Sequence, residues 1–200
     1  MPEIVENFLP VDHFKTFAHA AMTAPYYVPC DFSTKLTESD GSISTFGESI
    51  AKNTKPNELM FQMTILRRLP NPNRVVVNDF YYEHFTLLDS IREYLNIKKF
   101  FNIRVACTTI QSQHYIEDFH VDYDSYGSEH QKTAILYLNT NNGGTAFEDG
   151  NAFVQSKANR LVKFPVHTRH AVVCTTDTKL RYVLNINYEE FNTERINYET

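Results

Sequence analysis

The sequence predicts an α+β chain in which helices support an antiparallel β-sandwich or barrel, and three observations predict it. Two stretches in the first half carry apolar residues at helical spacing. Beyond Phe100 the pattern becomes a series of short strand-like runs without helices between them, parted by turns rich in Asn, Gly and Asp. The composition, with 15 Phe and 12 Tyr against 6 Gly, suits β-structure.

Residues 11–22 place Phe14, Phe17, Ala18 and Ala21 at i, i+3, i+4 and i+7, one helical stripe with Pro10 near its start. Residues 31–58 are polar, rich in Ser, Thr and Gly, and longer than an ordinary connection, so a lid or mobile loop is expected there. In residues 83–95, Leu88, Ile91 and Leu95 form a second helical stripe that should pack against a sheet. Ile103, Val105 and Cys107 then alternate with Asn102, Arg104 and Ala106, the period of a strand. Further strands are expected at 133–139, 152–155, 160–164, 171–175 and 180–188.

The 200 residues fit a single domain, residues 1–99 reading as helical support with the polar loop and 100–191 as the β-core. A net charge of −5 with scattered basic residues lacks the stripe that binds a phosphate backbone, which argues against nucleic acid. No apolar run approaches the roughly 20 residues of a membrane span. The opening MPEIVENFLPVDHF carries acids where a signal peptide is basic, so a soluble cytoplasmic protein is expected. Cys30, Cys107 and Cys174 are far apart and read as reduced apolar fillers.

The chemistry concentrates in Phe119-His120-Val121-Asp122. On an extended chain His120 and Asp122 share a face, roughly 6.5 Å apart, and could grip one ion. A second imidazole would complete the two-His, one-carboxylate set that holds Fe(II) with open positions opposite. His167 and His170 both offer one, although many surface His-x-Asp pairs do nothing. In residues 181–188 one face carries Arg181, Val183, Asn185 and Asn187 and the other Tyr182, Leu184, Ile186 and Tyr188. The polar face either meets solvent or lines a barrel lumen, where a guanidinium needs an anion such as a dicarboxylate.

The segments FHVDYD, TAILYLNTNNGGTAFEDG, ANRLVKFPVHTRH and LRYVLNINY, in this order, resemble the iron(II)/2-oxoglutarate-dependent dioxygenases. The likeness is greatest to the prolyl-4-hydroxylase-like branch and its small relatives in marine bacteriophages. It implies a double-stranded β-helix, a cupin-like jelly roll. It also implies His120, Asp122 and His170 as iron ligands, Phe164 opening the segment that leads to His170. Arg181 would bind the far carboxylate of 2-oxoglutarate, with Tyr137 sharing it, although Tyr137 could equally be a core tyrosine. The implied cofactors are Fe(II), 2-oxoglutarate and O₂, and the implied reaction hydroxylates a C–H bond with succinate and CO₂ as co-products.

Some positions depart from the pattern. Residues 108–117, TTIQSQHYIE, lack the Tyr and Gly often found before the first ligand, and His114 and His130 read as loop or surface residues. Asp124 falls a step further along the chain, toward solvent. Asp122 excludes the halogenase variant, and Asn187 stands where nucleobase-repair members have a second arginine, which with the acidic charge disfavours nucleic acid. A peptidyl, prolyl-like residue or a small molecule is the favoured substrate. The alternatives are a metal-binding cupin that does not use 2-oxoglutarate, an oxygenase acting on a nucleobase or small molecule, and a binding jelly roll without chemistry.

Overall fold

The computed structural model describes residues 1–26, 34–37, 43–46, 60–68, 75–122 and 130–191. In chain order the elements are β1 (Glu3–Val5), α1 (Val11–Thr23), β2 (Thr34–Thr37), β3 (Ile43–Phe46), β4 (Met60–Arg68) and β5 (Val75–Val77). Then come α2 (Asp79–Glu83), α3 (Phe85–Tyr94), β6 (Ile97–Thr109), β7 (Gln131–Tyr137) and β8 (Gly144–Phe147). The chain ends in β9 (Ala152–Gln155), β10 (Leu161–Pro165), β11 (His170–Val173) and β12 (Leu180–Glu190).

A seven-stranded sheet runs β1-β10-β7-β12-β6-β4-β5 and a three-stranded sheet runs β11-β8-β9, with every pairing antiparallel. The alternation on β12 gives the large sheet two different faces. Leu184, Ile186 and Tyr188 join Ile103, Val105, Ala134 and Leu136 in a core closed by Phe14, Phe17, Ala18 and Ala21 of α1 and Leu88 and Ile91 of α3. These are the helical stripes the periodicity marks. The opposite face lines a lumen filled by Ile135, Tyr137, Phe147, Val154, Val162, Phe164 and Val183. Arg181, Asn185 and Asn187 belong to this second face and are buried, so it is interior lining and not a solvated surface.

Local signals set the helix ends. Ala24 is held extended ahead of Pro25, which stops α1 after Thr23. His84, with φ −117° and ψ 23°, splits the second helical segment into α2 and α3, and Asn96 at φ 50° takes the left-handed position after α3.

The N-terminal half is more than helical support. It supplies β1, β4, β5 and the start of β6 to the large sheet, strands that periodicity did not reveal; in β4 a register shift between Thr64 and Leu66 breaks the alternation, so Met63, Ile65 and Leu66 all join the helix-facing core. β8 was likewise not expected. Most of 31–58, with Cys30 and Asp124, lies outside the described residues, so the expected lid does too; within 34–46, β2 and β3 pair with each other. Among the described residues no helix is long and apolar enough to cross a membrane.

Candidate metal centre

The irregular chain after β6 returns to β11 and meets it at two bridges, Ile116 opposite Val173 and then, at the candidate site, His120 opposite His170. The bridge is closed both ways, His120 N–H to His170 O at 2.9 Å and His170 N–H to His120 O at 3.0 Å. Directly opposed residues present side chains on one side, and the two imidazole centroids stand 4.7 Å apart. Asp122, two residues on, turns to the same side. The candidate ligand atoms of His120, Asp122 and His170 all lie within 4.8 Å of one another. His167 is exposed in the turn after β10 and takes no part, so of the two candidate histidines the structure brings His170 to this group. His114 is exposed on its loop and His130 is half-buried before β7.

Backbone carbonyls fix the imidazole tautomers. His120 Nδ1 lies 3.1 Å from Asp118 O and His170 Nδ1 lies 3.0 Å from Thr168 O. A carbonyl only accepts, so each Nδ1 carries the proton and each Nε2 keeps a lone pair. Those Nε2 atoms stand 3.8 Å from Asp122 Oδ1 and Oδ2 respectively. Burial lowers the His170 pKa, against the opposing pull of Asp122, which favours the neutral ring that a metal requires. Phe164 packs on this ring at 4.8 Å between centroids.

The Asp122 carboxylate is 1% exposed and fully engaged. Arg104 Nη2 donates to Oδ1 at 3.1 Å, while Asn185 Nδ2 and Asn187 Nδ2 donate to Oδ2 at 2.8 and 3.2 Å. Burial would raise its pKa, but Arg104, His170, the Asn185 hydrogen bond and His120 outweigh it and hold the carboxyl well below the usual range. Two imidazoles and one ionised carboxylate, gathered on one side of the lumen, suit a divalent metal of the iron type.

Deeper in the lumen, Arg181 is 2% exposed, donates from Nη2 to Gly144 O at 3.0 Å, and has its guanidinium 5.7 Å from the Tyr137 ring centroid. The Tyr137 hydroxyl lies 2.8 Å from Thr145 Oγ1 and 3.1 Å from Val154 O. Burial raises its pKa, so it stays a phenol. Thr108 stands directly opposite Arg181 on β6 and is buried. Its Oγ1 and the Oδ1 of Asn185 have no hydrogen-bond partner among the described residues. Buried polar atoms left unpaired can be satisfied by a polar ligand. Arg104, Thr108, Asn185 and Asn187 were not singled out from sequence as site residues. The polar alternation of β12 was visible, but its pairing with β6 is a register fact that appears only in the folded sheet.

No family model matches the sequence, and no curated protein matches it. Solved structures do match. A 2OG-Fe(II) oxygenase family oxidoreductase from Burkholderia pseudomallei aligns with a TM-score of 0.61 at 9% identity, covering 94% of this chain and 84% of its own. A prolyl hydroxylase from Trichoplax adhaerens, solved with a hypoxia inducible factor peptide fragment, aligns at 0.57 and 15% identity, covering 94% and 83%. HygX from Streptomyces hygroscopicus, solved with nickel and 2-oxoglutarate, aligns at 0.52 and 10% identity, covering 96% and 83%. The likeness is one of fold, and the fold is the double-stranded β-helix.

Proposed function

We propose that the protein is an Fe(II)- and 2-oxoglutarate-dependent oxygenase that hydroxylates a C–H bond and releases succinate and CO₂. The observation that carries this reading is a buried arginine, Arg181, on the same lumen face as the His120, Asp122 and His170 group. Arg181 lies two same-face positions along β12 from Asn185, which holds Asp122, or roughly 13 Å of strand. An arginine side chain and a dicarboxylate can share that distance. A cupin without the dicarboxylate would have no use for a buried guanidinium there.

His120, Asp122 and His170 would hold Fe(II), with Arg104, Asn185 and Asn187 fixing Asp122 so that its lone pairs stay aimed. Arg181 would hold the far carboxylate of 2-oxoglutarate, with Thr108 Oγ1 as a second donor and the Tyr137 ring supporting the guanidinium. Fe(II), 2-oxoglutarate and O₂ together supply the oxidising power that attacks an unactivated C–H bond. The chain contributes position and dryness, since Phe147, Val154, Phe164 and Val183 line the lumen and exclude water. The prolyl hydroxylase among the structural neighbours, solved with a peptide, supports a peptidyl residue as one substrate class beside small molecules. Asn187, engaged with Asp122 and Thr133, speaks against a nucleobase-repair role.

The test is anaerobic addition of Fe(II) and then 2-oxoglutarate to the purified chain. A visible charge-transfer band on the second addition is expected, as is succinate formation once O₂ is admitted. Metal binding without such a band would leave the cupin reading in its place.

A further inference from the structure

The segment that carries His120 and Asp122 changes face on the way to them. Its two bridges to β11 join Ile116 to Val173 and His120 to His170, so three residues, 117–119, lie between the bridges on one side and two, 171–172, on the other. The extra residue makes this a β-bulge. Glu117 N–H still donates to Val172 O at 2.9 Å, and the ladder resumes at His120. Side chains alternate along a strand, so Val173 and His170, three positions apart, look to opposite sides of β11. Ile116 shares the side of Val173 and is 48% exposed, whereas His120 shares the side of His170. Regular pairing carried on from Ile116 would set His120 opposite Arg169. His120 and Asp122 would then lie on the side of Ile116, away from His170. The bulge is therefore what turns both candidate ligands toward the third.

A bulge interrupts the ladder, and here side chains take up two of its carbonyls. His120 Nδ1 donates to Asp118 O at 3.1 Å, and Arg169 Nη2 donates to Phe119 O at 3.0 Å. Arg169 directly precedes His170. Its Nε donates to Glu148 Oε2 at 2.5 Å, and its own carbonyl accepts from Glu148 N–H at 3.1 Å. Glu148 follows β8, the strand paired with β11. The guanidinium fork thus spans from the end of β8 to the bulge. In the regular register Phe119 would stand opposite His170, out of this contact, so Arg169 favours the register that forms the centre.

We infer that Arg169 is a positioning residue that holds the bulge, so that His120 and Asp122 meet His170 before any metal arrives. This inference rests on the proposed reading of these three residues as metal ligands and names what sets them in register. Arg169 is not one of the grouped ligands and acts on them through the Phe119 carbonyl, which shapes the centre in advance of binding.

The experiment titrates the metal-free full chain with Co(II) alone, following the visible ligand-field band, and measures the denaturant midpoint of each variant. Wild type is expected to bind one Co(II), and Asp122→Ala to lose that band. Arg169→Met is expected to raise the Co(II) dissociation constant at least about tenfold, yet to regain the wild-type band at saturation, because the ligands themselves remain. Arg169→Lys, which keeps the charge but offers a point in place of a fork, should fall between the two. Arg160→Met is the control for a merely structural effect. Arg160 makes contacts of the same kind away from the centre, Nε to Glu6 Oε1 at 2.7 Å and Nη1 to Gln155 O at 2.8 Å. Its loss should leave Co(II) affinity within about threefold of wild type, whatever it does to the denaturant midpoint. A wild type that binds no Co(II), or that binds it no better than Asp122→Ala, would overturn the metal centre and the proposed function with it. A wild-type centre whose affinity survives both Arg169→Met and Arg169→Lys, falls equally in Arg160→Met, or never regains its band in saturated Arg169→Met would overturn the role of Arg169 alone.

Discussion

Arg104 and Asn185 stand directly opposite each other on β6 and β12 and donate to opposite oxygens of the Asp122 carboxylate, at 3.1 and 2.8 Å. A carboxylate gripped from both sides cannot rotate, and its burial is compensated by three donors. The candidate metal centre is thus anchored in the register of the two central strands, while two of its candidate ligands, His120 and Asp122, come from an irregular segment. Several outcomes depend on this arrangement.

Replacing the candidate ligands tests the centre directly. His120→Ala, Asp122→Ala and His170→Ala should each abolish iron-dependent 2-oxoglutarate turnover and weaken Fe(II) binding, measured by metal analysis of anaerobic protein. His167→Ala should keep most of both, since His167 is exposed outside the group. An inactive His167→Ala with an active His170→Ala would reverse the assignment of the third ligand.

Arg181 and Thr108 test the proposed cosubstrate pocket. Arg181→Met should raise the 2-oxoglutarate dissociation constant at least about tenfold, since a charged hydrogen bond is worth roughly 1.5–3 kcal/mol. Arg181→Lys should fall between wild type and Met, because it keeps the charge without the fork. Thr108→Val, which removes one neutral donor worth roughly 1 kcal/mol, should raise it about threefold to tenfold. Fe(II) affinity should change little in all three. Unchanged 2-oxoglutarate titrations in Arg181→Met would remove the dicarboxylate from the site.

Gly144 tests the packing of β8 against its neighbour β9 in the three-stranded sheet. A Cβ there would lie 2.2 Å from Val154 O and 2.6 Å from the Phe153 ring, and its own carbonyl accepts from Arg181. Gly144→Ala should therefore cost at least about 2 kcal/mol in denaturant unfolding, because a backbone atom cannot give way cheaply. It should also weaken 2-oxoglutarate binding through Arg181. Wild-type stability and binding in this variant would contradict the close approach of β8 and β9.

The alkaline side tests the helix-facing core. Burial pushes the Cys107 thiol from 9.0 up to about 11, and the folded state therefore holds its proton more tightly than the unfolded chain. A raised pKa contributes stability that is complete below about pH 9 and is lost as pH rises toward about 11. The denaturant midpoint of the metal-free protein should fall across that window, and Cys107→Ala should flatten the onset of the fall. A thiol reagent should modify Cys107 only as fast as the protein opens. Rapid labelling of folded protein at neutral pH would contradict its burial.

Much of the architecture is legible in local pattern. The stripe of Phe14, Phe17, Ala18 and Ala21 and that of Leu88 and Ile91 are the buried faces of α1 and α3, because a helix on a sheet must put its apolar side down. The alternation from Arg181 to Tyr188 gives β12 and its two unlike faces, because side chains on a strand alternate. β4 escaped that reading, since its register shift between Thr64 and Leu66 breaks the alternation, and β1 and β5, at three residues each, are too short to show a period.

For the site, the sequence by itself determined the residue types and one spacing, His120 and Asp122 two apart, because i and i+2 share a face whatever else the chain does. It left His167 and His170 equivalent as imidazoles, and it gave no reason to join Arg104 or Thr108 to the chemistry. Tertiary structure decided these. The bridge between His120 and His170 brings together residues fifty positions apart, and the β6 to β12 register delivers Arg104 to Asp122 and Thr108 to Arg181. Such pairings depend on which backbone groups meet across strands distant in sequence, and a shift of one residue would turn every one of these side chains to the opposite face.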